Sequence, residues 1–203
     1  MESDILCFKH CGTKIFCFDI PEICPACVQT ISTDNLEDVP FRIPHPFIKA
    51  VQYPCAIVMK STQGNLLEDY HNSKDLHIGV TNSKGSVFEF DSEGLVNHKT
   101  KEWNQSILIY KATEVWYDHW DLVLEEVRGE IRWRAEEYDE VNNNCYTFVL
   151  EFLKKLESDE LKGYIGNKED FSKQFVVPKT NVVRSYITMY RNVKKMDISL
   201  ITC

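Results

Sequence analysis

The N-terminal segment is dominated by cysteine, and this feature limits what the segment can fold into more than any other. Five cysteines and one histidine lie within 21 positions of ILCFKHCGTKIFCFDIPEICPACVQTI, where Cys24-Pro-Ala-Cys27 has the two-residue spacing of a metal knuckle. The chain has eight cysteines, and its N-terminus MESDILCFKHCG is acidic where a signal peptide would be basic. Because the cytosol and nucleus keep thiols reduced, the pattern favours metal ligands and free thiols over a disulfide framework.

Zinc needs four sulfur or nitrogen ligands in a tetrahedron, and the cluster offers more than four candidates. Cys24 and Cys27 supply one pair, and we expect His10 and Cys11 to complete a structural zinc site. Cys7 or Cys17 remains an alternative ligand. Adjacent residues such as His10 and Cys11 can bind one ion only through an unusual turn. Two other interpretations stay open: a thiol-rich hairpin without metal, and a redox-active Cys-x-x-Cys motif.

Composition and charge set the class of protein. With 203 residues and 43% hydrophobic content, the chain can build one substantial core with a small module attached. A formal net charge of −8, spread along the chain, argues against a nucleic-acid partner. No apolar run approaches the roughly 18 residues of a membrane-spanning helix. We therefore expect a cytoplasmic or nuclear protein, whose oligomeric state the sequence leaves open.

A proline-rich acidic stretch, DNLEDVPFRIPHPFIKA, predicts a linker around Pro40 to Pro46. We accordingly expect a cysteine-rich zinc knuckle at residues 1–38 and a main domain at residues 39–203. Within the main domain, YPCAIVMKST and QSILIYK read as strands, and TEVWYDHWDLVLEEVRGEIRW reads as an amphipathic helix with His119 on its surface. The segment after Pro178 favours a helix, with a strand as the alternative.

Cys145 stands where a polar loop becomes a helix, in EYDEVNNNCYTFVLEFLKK. Apolar residues recur at steps of three and four after it, the period of a helix with one buried face. Asn143 or Asn144 is a favoured N-cap, so the thiol lies in the first helical turn. The positive end of the helix dipole favours a thiolate there. A small core cysteine beside a good cap is the alternative.

The stretch DLHIGVTNSKGSVFEFDSEG predicts a β-hairpin. A three-residue loop at Ser83-Lys84-Gly85 would pair Asn82 with Ser86 and Gly79 with Glu89. In that register His77, Glu89 and Asp91 share one face of the hairpin. A carboxylate beside His77 would orient its imidazole, as a histidine that activates a cysteine requires. A loop of even length would turn Glu89 to the opposite face.

Taken together, HIGVTNSKGSVFE and NNNCYTFVLEFL resemble circularly permuted papain-like families, in which the histidine precedes the cysteine: lecithin:retinol acyltransferase-like enzymes, permuted NlpC/P60 peptidases and PPPDE peptidases. The resemblance covers roughly residues 74–95 and 138–156. It implies an α+β, circularly permuted papain-like (NlpC/P60-like) core beside the N-terminal knuckle. It places Glu89 where the acyltransferase-like enzymes have a second histidine.

The resemblance implies Cys145 as nucleophile, His77 as base and Glu89 as the residue that orients it. We expect a cysteine-dependent hydrolase, acyltransferase or isopeptidase that forms a thioester. The alternative is a catalytically inactive protein that uses the same fold as a protein-binding adaptor. Access to Cys145 separates the two, since Tyr146 or Trp103 could close the cleft.

Overall fold

A computed structural model of the chain describes residues 4–70, 75–98 and 103–202. It is an α+β structure, as the sequence predicts, and it contains two antiparallel sheets. The chain divides into two compact units: residues 1–46 with 184–203, and residues 47–183. This division differs from the expected one, because the first unit also takes residues 39–46 and the C-terminal segment. Among the described residues, no helix combines the length and apolar character needed to cross a membrane.

The first unit is built on a four-stranded sheet of order β3-β1-β2-β9. Its strands are β1 (Leu6–His10), β2 (Thr13–Cys17), β3 (Phe41–Arg42) and β9 (Ile198–Thr202). β3 lies inside the expected linker, where Cys7 pairs with Phe41, so part of that stretch is bound into the sheet. Phe8, Ile15, Cys17 and Cys24 form the buried core of this unit.

The second unit is built on a five-stranded sheet of order β7-β6-β5-β4-β8. Its strands are β4 (Ala56–Ser61), β5 (Leu76–Thr81), β6 (Val87–Asp91), β7 (Gly94–His98) and β8 (Ile107–Lys111). The two strands expected from YPCAIVMKST and QSILIYK are β4 and β8, which pair with each other. The central strand β5 carries His77, and its neighbours β4 and β6 carry the residues around it.

Two helices cover the sheet of the second unit. After the short helix α1 (Leu66–Asp69) come α2 (Tyr117–Arg128) and α3 (Cys145–Leu156), and α3 packs against β5 and β6. Aromatic rings join α2 and the turn after it to α3: Trp120 lies 4.7 Å from Phe152, and Trp133 lies 5.2 Å from Phe148, between ring centroids. The apolar stripe that predicted α2 is buried at Trp120, Leu124 and Val127, and His119 is exposed as expected.

The C-terminal segment is helical, as favoured from its sequence. Helix α4 (Lys168–Phe171) runs through a π-helical turn at Ser172–Val176 into α5 (Val177–Met196). α5 begins one residue before Pro178 and directly follows the π-helical turn, so Pro178 lies within a continuous helical segment. α5 crosses the division between the two units at residues 183 and 184.

Two candidate sites of cysteine and histidine

The first site begins at the tight turn between β1 and β2. His10 pairs with Thr13, so Cys11 and Gly12 form a two-residue loop, and both have positive φ, 48° and 74°. Two consecutive left-handed residues define the type I′ hairpin turn. Left-handed backbone is costly for a residue with a Cβ atom, so Cys11 is held there by its surroundings. This is the unusual turn that adjacent ligands need, and it brings His10 and Cys11 to one place.

The Cys24-x-x-Cys27 loop supplies the other pair. The amide of Ala26 donates to the sulfur of Cys24 at 3.4 Å, and the amide of Val28 donates to the carbonyl of Cys24 at 2.9 Å. Burial opposes ionisation of Cys24, but backbone amides of Cys27 and Ala26 and the neighbouring thiols outweigh it and lower its pKa to about 7. The loop therefore stabilises the thiolate form that metal binding requires.

The four donor atoms converge as the sequence predicts. The sulfurs of Cys11 and Cys24 are 3.9 Å apart, and the sulfur of Cys27 lies 3.6 Å from Nδ1 of His10. All four lie within 4.8 Å of one another, so they can hold a metal ion. Cys7 and Cys17 are not part of this group. Cys17 is fully buried in the core, where burial raises its pKa to about 11.

The second site begins at the N-terminus of α3. Asn144 is the N-cap: its side-chain oxygen accepts from the amides of Tyr146 at 3.0 Å and Thr147 at 3.4 Å. Asn143 donates to the carbonyls of Arg132 and Glu137, which fixes the loop before the helix. The asparagines therefore place Cys145 in the first turn, where its own amide has no acceptor within the helix. Cys145 is 8% exposed.

The β5–β6 hairpin has the predicted three-residue loop. The amide of Asn82 donates to the carbonyl of Ser86 at 3.0 Å, and the ladder continues through Thr81 with Val87 and Val80 with Phe88. The tip is fastened to α2, because the hydroxyl of Ser83 donates to Asp121 at 2.5 Å. The predicted register is confirmed at this end of the hairpin.

The described β5–β6 ladder ends at the pair of Val80 and Phe88. Residues 77–79 of β5 pair with β4, and residues 89–91 of β6 pair with β7, but the expected pair of Gly79 and Glu89 is not in the described β5–β6 ladder. The backbone amide of Ile78 donates to the sulfur of Cys145, as does the amide of Tyr146. The N-terminus of α3 thus places its thiol against the backbone of β5.

His77 connects the thiol to an acid. Cys145 and His77 share a side-chain hydrogen bond, and Nε2 of His77 lies 2.7 Å from Oε2 of Glu89. The ring N–H does not point along the line to Oε2, so the second contact is an ion pair without an aligned hydrogen bond. His77 and Glu89 are both buried, with 9% and 2% exposure. The structure thus brings together the three residues Cys145, His77 and Glu89.

The electrostatics favour the charged forms of all three groups. Burial lowers the pKa of His77, but Cys145 and Glu89 outweigh burial and raise it to about 9. Burial raises the pKa of Glu89, but His77 and Lys60 outweigh burial and lower it to about 2. Burial also raises the pKa of the Cys145 thiol, and its hydrogen bonds from His77 and the two amides bring the pKa below its ordinary value. The arrangement therefore favours the thiolate form of Cys145 and the imidazolium form of His77.

Lys60 was missed from the sequence, and Trp103, expected only as a residue that could close the cleft, contacts the acid. Nζ of Lys60 lies 3.2 Å from both oxygens of Glu89, and Nε1 of Trp103 donates to Oε1 of Glu89 at 3.2 Å. Gly79 makes room for Trp103, since a Cβ atom there would lie 3.1 Å from the indole. The available signal was a lysine within the apolar strand AIVMKS, directly opposite His77.

Asp91 also lies near this site. Oxygens of Asp91 and Glu89 and a ring nitrogen of His77 lie within 4.8 Å of one another, a second group that can in principle hold a cation. The ammonium of Lys60 already contacts both oxygens of Glu89, which disfavours a second positive charge in the same place. Glu89, not Asp91, makes the short contact with the imidazole.

The fold and these contacts define an α+β protein with a cysteine-histidine cluster able to hold a metal and a separate cysteine-histidine-carboxylate group. The model of the DUF4796 C-terminal region matches residues 40–193, and that of the DUF4796 N-terminal region matches residues 3–31. The chain therefore belongs to the DUF4796 family. The boundary between the two matches falls near the expected domain boundary.

A curated relative confirms a likeness that several motifs already suggest. FKHC, CPAC, DLHIGVTNSKG, NNCYTFVLEF and VVPKTNVVRSYITMYR indicate a resemblance to the makorin opposite-strand protein along nearly the whole chain. The human MKRN2 opposite strand protein is 31% identical over 199 residues, covering 97% of this chain and 88% of the relative. No solved structure matches the chain.

Proposed function

We propose that this chain is a cysteine-dependent acyl-transfer protein, a hydrolase, acyltransferase or isopeptidase, in which Cys145 is the nucleophile. One observation carries the proposal: the Cys145 thiol is hydrogen-bonded to His77, and Nε2 of His77 lies 2.7 Å from Glu89. A nucleophile bonded to a base that a third group orients is the arrangement common to covalent acyl-transfer catalysts. His77 acts as the base, and Glu89 holds its ring.

The chemistry follows from the positions of these groups. The sulfur of Cys145 attacks the acyl carbon, and the bond to the leaving amine or alcohol breaks as His77 gives it a proton. The resulting thioester is attacked by water or an acceptor, which loses a proton to His77 as the thiolate leaves. The amide of Cys145, in the first turn of α3, is one donor for the oxyanion that forms in both steps.

The arrangement also supports a circularly permuted papain-like core. The histidine strand β5 precedes the cysteine helix α3 in the chain, and α3 packs on β5 and β6 with its N-terminus at His77. The same order and pairing underlie the resemblance of HIGVTNSKGSVFE and NNNCYTFVLEFL to the permuted families. The proposed domain therefore combines the five-stranded sheet with α3.

We further propose that the His10, Cys11, Cys24 and Cys27 cluster holds a structural zinc ion. In a zinc tetrahedron the sulfur–sulfur edges are about 3.8 Å and the sulfur–nitrogen edges about 3.6 Å, given the usual bond lengths. The observed separations of 3.9 Å and 3.6 Å match these edges. Zinc would tie the β1–β2 turn to the Cys24-x-x-Cys27 loop.

A small electrophilic probe tests the proposed nucleophile. Iodoacetamide-alkyne is incubated at pH 7 with wild type, Cys145→Ser, His77→Ala and His119→Ala, and labelling is read at each cysteine by mass spectrometry. We expect labelling of Cys145 to fall about tenfold or more in His77→Ala, because the thiolate loses its partner. His119→Ala is the matched control, since His119 is exposed on α2, and labelling should not change.

Equal labelling of Cys145 in wild type and His77→Ala would overturn the proposed nucleophile. The low exposure of Cys145, 8%, favours a second candidate, an inactive protein that uses this fold as a protein-binding adaptor. That candidate expects a slowly labelled Cys145 whose rate does not depend on His77. Bulky maleimides compared with iodoacetamide then measure how narrow the access to the thiol is.

A further inference from the structure

Lys60 is the charged residue of β4, whose other residues from Ala56 to Ser61 are apolar or small. Its side chain is only 17% exposed, and its partner Glu89 is 3% exposed. Lysine is among the residues least often buried, and burying it requires compensation. Lys60 obtains this compensation from the acid that serves His77. The lysine and the imidazole therefore share one carboxylate.

Both oxygens of the shared Glu89 carboxylate contact positively charged groups or hydrogen-bond donors. Oε2 of Glu89 faces Nε2 of His77 at 2.7 Å and Nζ of Lys60 at 3.2 Å. Oε1 accepts from Lys60 and from Nε1 of Trp103, each at 3.2 Å. Nζ of Lys60 also lies 4.6 Å above the ring of Trp103. Lys60 is the cross-strand neighbour of His77, so its charge lies beside the imidazole as well.

We propose that Lys60 is a positioning residue of the Cys145–His77–Glu89 group: it fixes the Glu89 carboxylate and, by its charge, keeps His77 able to release its proton to a leaving group. The inference rests on the proposed acyl-transfer function. It adds a fourth member that acts through Glu89 and does not touch the reacting atoms.

The physical reason lies in the balance of charges around His77. A thiolate and a buried carboxylate on either side of an imidazolium hold its proton strongly, which makes the imidazolium a poor acid. A cation that shares the carboxylate weakens that hold. The same cation favours the Cys145 thiolate, because it adds positive charge to the group. Lys60 therefore shifts both ionisations in the direction that acyl transfer at neutral pH needs.

Other ionisable groups face the same centre and are unchanged in the experiment that follows. β6 contributes a second carboxylate, the loop before α3 contributes a phenol, and α3 itself contributes another phenol next to the thiol; these are Asp91, Tyr138 and Tyr146. Tyr138 and Tyr146 are neutral near pH 7, since burial raises the pKa of both phenols. The ammonium of Lys60 is in direct contact with the Glu89 carboxylate.

The test is the pH dependence of the pair in Lys60→Met. Methionine keeps the length and apolar character of the lysine stem and removes the charge. Alkylation of Cys145 by iodoacetamide is followed from pH 4 to 10, and His77 is titrated by NMR of its ring protons in the same samples. We expect the midpoint of the Cys145 alkylation profile and the midpoint of the His77 titration to rise by about 0.5 to 1 pH unit, because one nearby positive charge is lost.

Two further variants separate charge from structure. Lys111→Met is the matched control, since Lys111 lies on the adjacent strand β8 and also stands over an aromatic ring, 6.0 Å from that of Tyr53. Its midpoints should equal those of wild type. Lys60→Arg keeps the positive charge and should keep both midpoints, and it also serves if Lys60→Met does not fold.

Two results would contradict the proposed role of Lys60. Midpoints in Lys60→Met equal to those of Lys111→Met, or lowered, would overturn the role of Lys60. A shift in Lys60→Arg as large as in Lys60→Met would overturn the role of its charge. The NMR titration of His77 does not need a reactive thiol, so it reads the effect of Lys60 even if Cys145 fails the labelling test of the proposed function.

Discussion

The two sites contain the same residue types, cysteine and histidine, but they differ in the groups that surround each thiol. These surrounding groups determine which chemistry each site can support. In the first unit the donor atoms of three thiols and one imidazole all lie within 4.8 Å of one another. In the second unit one thiol meets one imidazole, and the next groups are the carboxylate of Glu89 and the ammonium of Lys60. The first arrangement suits a soft cation. The second already contains its own cation, the ammonium of Lys60, which supports the proposed role of the thiol as a nucleophile.

The backbone makes the same distinction. The cluster that could hold a metal is formed by two turns, and each turn contains a residue with left-handed backbone, Cys11 or Val28. The second site rests on a central strand and a capped helix, which hold side chains more rigidly than loops do. A structural ion can compensate for loose turns by its own bonds, whereas a nucleophile needs its geometry before substrate binds.

The largest effect expected is loss of the metal cluster. In Cys24→Ser with Cys27→Ser, we expect about one equivalent of zinc to disappear, because a tetrahedral site cannot keep an ion with two ligands removed. The β1–β2 region should lose protection in hydrogen exchange, while alkylation of Cys145 stays at the wild-type rate. Metal content by mass spectrometry is the primary measurement. If purified wild type contained no metal while its β1–β2 region was still fully protected from hydrogen exchange, the proposed zinc site would be wrong.

The next effect concerns the buried acid. Glu89→Gln leaves Lys60 and the His77 imidazolium without their shared partner, so we expect about 3 kcal/mol lower free energy of unfolding near pH 6.5. Urea denaturation followed by tryptophan fluorescence measures the change. Bound zinc should be unaffected, because the carboxylate is not among the cluster's donors. A loss below about 0.5 kcal/mol would show that the acid is dispensable to the fold.

The pH dependence of the same variant has a definite sign. His77 has a pKa of about 9 against an ordinary 6.5, so its pairing contributes stability that is fully present below pH 6.5 and is lost as pH rises through 9. Glu89 has a pKa of about 2 against 4.5, so its contribution is present above pH 4.5 and is lost as pH falls through 2. Wild type should therefore lose more stability than Glu89→Gln between pH 6.5 and 9.

A smaller effect is expected at Gly79. An alanine Cβ there would meet the Phe88 carbonyl at 2.9 Å and atoms of Trp103 and Val87 at 3.1 Å, so the indole must move away from Glu89. We expect Gly79→Ala to cost about 2 kcal/mol of stability, as overpacked cores do. Thermal unfolding measures it, and Gly163→Ala is the control because a Cβ there meets nothing within 4 Å. Equal melting temperatures of the two variants would contradict close packing at Gly79.

The smallest expected effect is a gain in stability on replacing Val28. Val28 is a β-branched residue at φ 62° and is 77% exposed, so it carries backbone strain and little packing. Glycine adopts that backbone freely but loses more entropy on folding, and we expect a net gain of about 0.5 kcal/mol in Val28→Gly. Slower zinc release to a chelator is the measurement. Faster release would show that the valine side chain itself supports the loop.

The sequence predicted those parts of the site that depend on local pattern. The helix start at Cys145, its asparagine cap and the loop of the β5–β6 hairpin follow from periodicity and turn chemistry, and the structure has them. Lys60 could not be placed in the same way, because an isolated lysine in a strand usually extends its ammonium to water. Its contact with Glu89 depends on pairing between β4 and β5, which local pattern does not specify.

The expected domain boundary illustrates the same limit. The proline-rich stretch marks a change in composition after the cysteine-rich residues, but the first unit also includes residues 184–203. The pairing of β2 with β9, Thr13 against Thr202, joins residues from opposite ends of the chain, and no local signal announces it. The pairing of β1 with β3 likewise binds residues of the expected linker into the first sheet.

This late partner of β2 also sets an order of events during synthesis. Residues 47–183 form a unit of contiguous chain, and β2 is made before this unit whereas its neighbour β9 is made after it. Until then one edge of β2 presents unpaired backbone groups, the kind of edge that recruits foreign strands. The interval between translation of β2 and arrival of β9 is therefore a period in which this edge can pair with a foreign strand.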